Sequence, residues 1–529
     1  MLCRLNPAVY SFFISRLCSL SVRRGDDHRR QQPQWIAANH IFQRNPRLLS
    51  LQHCDSLHRL HPILAYAIVS GLFSNPFVAS RILHSSVTIS PHDLSLSFSL
   101  FSQMIRPNHF SWNAMIKSLA ATTSASSAAA LSLFVEMRRR DILPDKYTLP
   151  FLLMSFNSTD DLHNGRSIHT LSFVLGCESN LFLQTGLVSM YIDCGSVDYA
   201  LQLFDEMQIR DVVTWTAVIS GLARQGCYEQ ALAVLNDMRT DDSNPKPNLA
   251  TMVSSMSACS SIGSLIHTKN LHAYLVKTGF NIHIFARNSL IHCYAKSGSI
   301  TCACQLFDEM AEKDLHSWTA VIMGLALNGL SQDAIFLFSE MLRTGLQPDS
   351  TTFVAVLSAC SHAGLVDVGI KLLESMEEEF GIRPELKHYG CVVDIFARAG
   401  QLSRAYEFIR TMPMQPNLET LGALLSASSV HGDLELGELL SRRIESLTHA
   451  CSQGASIILS NMYANNGQWE KVISIRRGRR QEGCKPPGRS WIVVRGNVEE
   501  FVVGDRVHPF SKEIGFILDE LDKMKDGFV

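Results

Sequence analysis

The sequence predicts an all-α fold, a right-handed α-solenoid superhelix of helix-turn-helix repeats, and three observations predict it. First, the run WTAVI occurs at Trp215–Ile219 and again at Trp318–Ile322, and the related WNAMI begins at Trp112, so three near-copies follow one another at a fixed interval of 103 residues. LFDEM, at Leu203–Met207 and Leu306–Met310, keeps the same interval. Second, an Ala stands seven residues before a Met at Ala130/Met137, Ala200/Met207, Ala231/Met238, Ala303/Met310, Ala334/Met341 and Ala405/Met412. Five residues before five of those Ala comes a Gly, at Gly195, Gly226, Gly298, Gly329 and Gly400. Third, 46% of the 529 residues are apolar and 18% charged, a composition that folds and packs rather than staying solvated. Fixed-period self-similarity of this kind is the signature of a repeat architecture.

Each repeat reads as two helices. An apolar stretch of about a dozen residues such as VVTWTAVISGLA makes the first, and it ends near a Gly that can take the left-handed C-cap conformation. A second, YEQALAVLNDM, follows; its Ala lets the partner helix approach and its Leu, Met and Phe at helical spacing fill the interface. Neither helix pair buries its apolar faces alone, so the pairs must stack in series.

Along the chain the elements follow in order. Residues 1–40 read as an organelle transit peptide and variable leader: Arg4, Arg16, Arg23 and Arg24 stand among several Ser with no acid before Asp26. The Arg content favours mitochondria, with chloroplasts as the alternative. The apolar run Ala8–Ile14 is too short to span a membrane, and no membrane insertion is expected. Residues 41–108 look like two worn repeats, 41–75 and 76–108. Nine clear repeats fill 109–417, at 109–145, 146–180, 181–211, 212–248, 249–283, 284–314, 315–349, 350–385 and 386–417, cycling long, long, short. Residues 418–485 and 486–529 are two further C-terminal regions.

Charge and cysteine usage exclude several functions. A net charge of −2 argues against a simple polycationic nucleic-acid binder, though not against one basic groove. The 14 Cys contain no CxxC, and the lone CxC at Cys302 and Cys304 reads as two small residues on a packed helix, so no metal, disulfide framework or redox pair is expected. Arg138–Arg140 and the RRGRR run at Arg476–Arg480 are candidate phosphate contacts, the first equally a solvated helix end.

The three-length cycle, the GxVxxA and LFDEM runs and the repeat ends LQPD and MQIRD resemble plant pentatricopeptide repeat proteins of the class with alternating repeat lengths, over roughly residues 41–529. LGALLSASSVHGDLELGELL resembles the first C-terminal extension motif of that class, LSNMYANNGQWEKVISIRRGRRQEGCKPPGRSWI the second, and VEEFVVGDRVHPFSKEIGFILDEL the extended segment that precedes a cytidine deaminase-like domain in longer members. His508 and Gly504–Arg506 match that extended motif and read as a docking surface. A zinc deaminase needs His-x-Glu and Pro-Cys-x-x-Cys. None of the 20 His is followed two residues later by Glu, so no catalytic residue and no cofactor is expected, and the chain is not expected to be an enzyme.

The resemblance implies one base of single-stranded organellar RNA per repeat, contacted by the fifth and last residues. The pairs are Asn113/Asp145, Thr185/Asp211, Thr216/Asn248, Asn288/Asp314 and Thr319/Asp349, implying U, G, A, U and G, with Ser80/Asn108 implying A if that worn repeat binds. Pro150/Asn180, Val253/His283 and Val354/Glu385 have apolar fifth residues, and Gly390/Asn417 has no fifth side chain, so their bases stay unassigned. The implied site is 5′-(A)U-n-GA-n-UG-n-n-n-n-n-C, the last C being converted to U by a deaminase-bearing protein or editing accessory factors recruited in trans. Trp112, Trp215 and Trp318 read as packing rather than base-stacking residues. Splicing, transcript-stability or translation roles share the repeats but not the C-terminal extension. A protein-binding scaffold of the tetratricopeptide kind keeps a uniform period of about 34 residues instead, and a nuclease needs a clustered carboxylate site that is missing here.

Overall fold

The helices of the computed structural model stack as successive antiparallel pairs. Residues 41–42, 44–121, 127–240, 243–448, 453–479, 489–494 and 497–502 are described; the transit-peptide reading, Gly504–Arg506, His508 and part of the RRGRR run lie outside them. Two compact units divide after Ala258. In the first, the helices His109–Ala121, Leu181–Asp193 and Val212–Arg224 each pack against a second helix, Ser127–Arg139, Val197–Glu206 and Tyr228–Thr240. In the second, Ile284–Lys296, Leu315–Leu327, Ser350–Ala363, Leu386–Arg398 and Leu418–His431 do the same, each first helix also lying against the next. Each unit is an α-solenoid.

The repeated residues have repeated jobs. Gly195, Gly226, Gly298, Gly329 and Gly400 all sit at φ between 72° and 78°, the left-handed region that costs a side chain strain. The chain can then turn back, and the amide just beyond the Gly closes onto the helix it has left, as Cys227 N does on Leu222 O at 2.9 Å and Leu330 N on Leu325 O at 2.9 Å. Ala130, Ala200, Ala231, Ala303, Ala334 and Ala405 are fully buried where the paired helices cross. Trp112, Trp215 and Trp318 are buried and meet Phe101, Phe204 and Phe307 edge-on, at centroid separations of 4.7, 4.8 and 4.9 Å. Each such pair adds about 1 kcal/mol beyond its buried area. With their rings enclosed, these three Trp pack repeats and offer no face to a ligand.

Two departures from the plain repeat appear. In the repeat 146–180 the first helix is only Thr148–Leu153, and the chain reaches its second helix, Leu162–Val174, through the 3₁₀ turn Thr159–Asp161. Asp161 holds that turn by accepting bonds from Ser158 Oγ and Asn157 N, a local side-chain alternative to helix. Beside the solenoid, Arg489–Val494 and Asn497–Val502 pair as an antiparallel hairpin, Arg489 opposite Val502 and Val494 opposite Asn497. The β-branched and aromatic run WIVV explains why this segment leaves the helical pattern.

Candidate functional site

The last residue of each repeat begins the next helix. Asp211, Asp314 and Asp349 stand in extended backbone as N-caps of Val212–Arg224, Leu315–Leu327 and Ser350–Ala363. A carboxylate followed three residues later by Thr or Ser is a capping sequence, and its oxygen satisfies an amide that the helix leaves unpaired. Asp211 Oδ1 accepts from Thr214 N and Thr214 Oγ1, both at 2.8 Å; Asp349 Oδ1 accepts from Thr352 N and Oγ1, both at 2.8 Å. Asn248 Oδ1 does the same for Thr251, both at 2.9 Å. The cap thus uses one atom of each last residue and fixes which other atom faces away.

The fifth residue of the preceding repeat reaches the same cap. Asn113 Nδ2 donates to Asp145 Oδ1 and Oδ2 at 2.9 and 3.1 Å, and Asn288 Nδ2 donates to Asp314 Oδ1 at 3.1 Å. The Thr pairs meet through an intermediate: Thr185 Oγ1 lies 2.8 Å from Thr214 Oγ1, Thr216 Oγ1 2.7 Å from Thr251 Oγ1, and Thr319 Oγ1 2.8 Å from Thr352 Oγ1. All five main pairs are therefore brought together, directly or through one hydroxyl. Ser80 and Asn108 are not: Ser80 Oγ turns back to Phe77 O at 2.9 Å, while Asn108 Oδ1 caps Ser111.

The members of these pairs are half-buried, except Asn113, which is buried, and Asn248, which is exposed. Burial works against the charge of Asp145, but the bonds from Asn113, the Tyr147 amide and Thr148 outweigh it and hold its carboxyl below the ordinary carboxylate range. Asp314 is held down in the same way, burial being outweighed by Ser317, Asn288 and the nearby His316. Both carboxylates stay ionised, and therefore acceptor-only, at neutral pH. Oδ2 of Asp211, Asp314 and Asp349 and Nδ2 of Asn248 have no partner among the described residues.

Two groups of residues at this face escaped the sequence reading. The second residue of several repeats is apolar and exposed, namely Phe110, Tyr147, Phe182, Val213 and Phe285. Tyr147, Phe151 and Phe182 cluster, with Lys146 Nζ 5.0 Å from the Tyr147 ring and Lys117 Nζ 5.3 Å from that of Phe151. An apolar residue one step into a helix and out of phase with the buried stripe was the available signal. The other group is the third residue of the following repeat, Thr148, Thr214, Thr251, Ser317 and Thr352, each fully buried and touching both members of a pair.

The basic runs divide. Glu136 takes Arg140 at 3.0 Å and Arg139 at 3.8 Å, so Arg138–Arg140 is largely a helix end paired with its own helix. Arg476 Nε donates to Ser460 Oγ at 3.2 Å. In the helix pairs after residue 417, Leu439, Leu447, Trp469 and Ile473 are exposed. Cys302 and Cys304 are free and half-buried, as small packing residues are. Among the described residues no group of His, Cys, Asp or Glu is arranged to hold a metal, and no helix is long and apolar enough to cross a membrane.

Comparison with known proteins matches residues 210–261 and 313–362 to the PPR repeat family, 185–212, 285–315 and 351–379 to the PPR repeat, and 431–493 to the E motif. A pentatricopeptide repeat-containing protein of Arabidopsis thaliana is 33% identical over 503 residues, covering 89% of this chain and 94% of the relative. Another from that plant, named chloroplastic, is 38% identical over 482 residues, covering 90% and 79%. A third, named mitochondrial, is 35% identical over 435 residues, covering 81% and 68%. The crystal structure of the pentatricopeptide repeat protein PPR10 in complex with an 18-nucleotide psaJ RNA element shares the fold, with a TM-score of 0.58 and 17% identity over 89% of this chain and 70% of that one.

Proposed function

This chain belongs to the pentatricopeptide repeat family, and from that premise we propose that it is a sequence-specific single-stranded RNA-binding protein of an organelle, the site-recognition factor for C-to-U editing. One observation carries the reading: four of the five pairs present an uncommitted polar atom whose type follows the last residue, while in Asn113/Asp145 both carboxylate oxygens accept from Asn113 Nδ2. Where the last residue is Asp, that atom is a carboxylate oxygen, an acceptor suited to the ring N–H of uracil or guanine. Where it is Asn248, the cap holds Oδ1 inward at 2.9 Å from Thr251 N, so the amide N–H₂ faces out and suits the ring nitrogen of adenine or cytosine. Exposed Phe110, Tyr147, Phe182 and Phe285 beside the pairs supply faces on which bases stack, and Val213 offers an apolar contact at the same position.

The E-motif match at 431–493 supports editing over splicing, stabilisation or translation, and the exposed Leu439, Leu447, Trp469 and Ile473 are the surface on which a deaminase-bearing protein would dock in trans. No chemistry is assigned to this chain. The names of the relatives support an organelle, and the Arg-rich leader favours mitochondria over chloroplasts. Sequencing organellar transcripts from a loss-of-function line tests the proposal. Loss of editing at a C preceded by 5′-U-n-GA-n-UG at the stated spacing is expected, whereas unchanged editing at every C overturns it.

A further inference from the structure

The buried third-position hydroxyls cap the helices they begin, and they also meet the fifth residue of the repeat before. Where the fifth residue is Asn113, Thr185, Thr216, Asn288 or Thr319, the third residue of the next repeat is Thr148, Thr214, Thr251, Ser317 or Thr352. Where the fifth residue is Pro150, Val253 or Val354, that third residue is Leu183, Ala286 or His388. In this chain a hydroxyl follows every polar fifth residue of the clear repeats and none of these three apolar ones; after Gly390, which has no side chain, Thr420 caps Asn417.

Proton accounting gives the hydroxyl a role. Thr214 has one O–H proton and two neighbours at 2.8 Å, the carboxylate Oδ1 of Asp211 and Thr185 Oγ1. The charged acceptor takes the proton. Thr214 Oγ1 then accepts from Thr185, so the Thr185 proton points inward and its lone pairs point away. Thr352 does the same to Thr319, whereas the Thr216 proton already has a backbone acceptor, Val212 O at 2.7 Å, beside Thr251 Oγ1. Under the Asn residues the same accounting sends the proton to the Asp, with Ser317 Oγ 2.7 Å from Asp314 Oδ1 and Thr148 Oγ1 2.9 Å from Asp145 Oδ1. Ser317 Oγ lies 2.8 Å from Asn288 Oδ1 and Thr148 Oγ1 2.9 Å from Asn113 Oδ1. The amide there is held by its own Nδ2, which donates to Asp145 and to Asp314.

We infer that Thr214 and Thr352 are specificity-determining positioning residues: each takes the proton of its fifth-position Thr, so that this side chain meets the base as an acceptor. Thr with Asp offers two acceptors, which match N1–H and the 2-amino group of guanine. Thr with Asn offers an acceptor and a donor, which match the 6-amino group and N1 of adenine. Asn with Asp offers a donor and an acceptor, which match a carbonyl and N3–H of uracil. The inference rests on the RNA-binding reading above and assigns specificity to residues that never touch the base.

The full chain and its Thr214→Val and Thr214→Ser variants, bound to synthetic 5′-AUCGACUGCCCCCC-3′ and to the same RNA with A for the first G, test it. Val keeps the shape and the Thr214 N bond to Asp211 but lacks the oxygen that accepts the Thr185 proton. Preference for G over A should fall about tenfold in the Val variant, one neutral hydrogen bond's worth, and return with Ser. An unchanged G:A ratio in the Val variant, even with weaker binding to both RNAs, overturns the inference and leaves RNA recognition standing. A wild-type chain that does not distinguish the two RNAs overturns the base-reading proposal, and the inference with it. Thr352→Val, with the base read by Thr319/Asp349 varied, repeats the test in the second unit if Thr214→Val fails to fold.

Discussion

Exchanging Asn248 for Asp should move the base preference at its position from adenine to guanine. The structure shows why little else should change. Asn248 caps its helix through Oδ1, which takes Thr251 N and Oγ1 at 2.9 Å, and Asp349 holds Thr352 through the same atom at 2.8 Å. A carboxylate at this position keeps the cap, keeps Thr216 in place through Thr251, and changes only the outward atom from an N–H donor to a carboxylate oxygen. Adenine then loses a donor to its N1 and meets an acceptor instead, while guanine gains an acceptor for N1–H. A matched contact contributes about 1–3 kcal/mol of discrimination, so the A:G ratio should shift by at least about fivefold. Adding Thr216→Asn should move the preference on to U. Fluorescence anisotropy with four RNAs differing only at that base, at one fixed salt concentration, measures it. If the wild-type chain discriminates and the Asn248→Asp variant still prefers adenine, the assignment of outward atoms is wrong.

Other expectations follow from the same geometry. Gly226→Ala adds a methyl with nothing within 4 Å, so only the φ of 77° is penalised, and a thermal melt should show a loss of about 1–2 kcal/mol. Ala231→Leu overfills a fully buried crossing and should cost about 1–3 kcal/mol by urea titration. The carboxyls of Asp145 and Asp314 are depressed in the folded chain, so their contribution to stability is complete above the ordinary carboxylate value and is lost as pH falls through the depressed one. Asp314→Asn keeps the cap and removes that titration; its urea midpoint should therefore fall less than wild type between neutral pH and about pH 3. Trp469→Ala removes an exposed ring at the proposed docking face and should abolish editing in a complemented line while RNA affinity stays unchanged.

Much of the fold was open to a reader of the sequence because it rests on local, repeated rules. A Gly before a helix start, an Ala seven residues ahead of a Met and a Trp at each 103-residue interval state where helices turn, cross and pack, and each is decided within a few residues of itself. The five residue pairs that meet across neighbouring repeats were named from the family resemblance, which points to the fifth and last residue of each repeat. The hairpin at 489–502 escaped an all-helical reading although WIVV carried the β-branched signal. The shortened helix Thr148–Leu153 escaped because local side-chain bonds at Asp161 outcompeted an otherwise acceptable apolar pattern.

By itself, then, the sequence determined the scaffold: the repeat, its turns, its buried seams and the identity of the residues at positions five and last. Only the tertiary structure decided how those residues are held. Asn113 and Asp145 are 32 positions apart in the chain, and no local pattern states that one donates to the other at 2.9 Å. Nor does it state that Ser80, alike in chemistry, bonds its own helix instead. The direction of a single hydroxyl proton depends on every acceptor within about 3 Å of it, and those acceptors come from two repeats that meet only after folding.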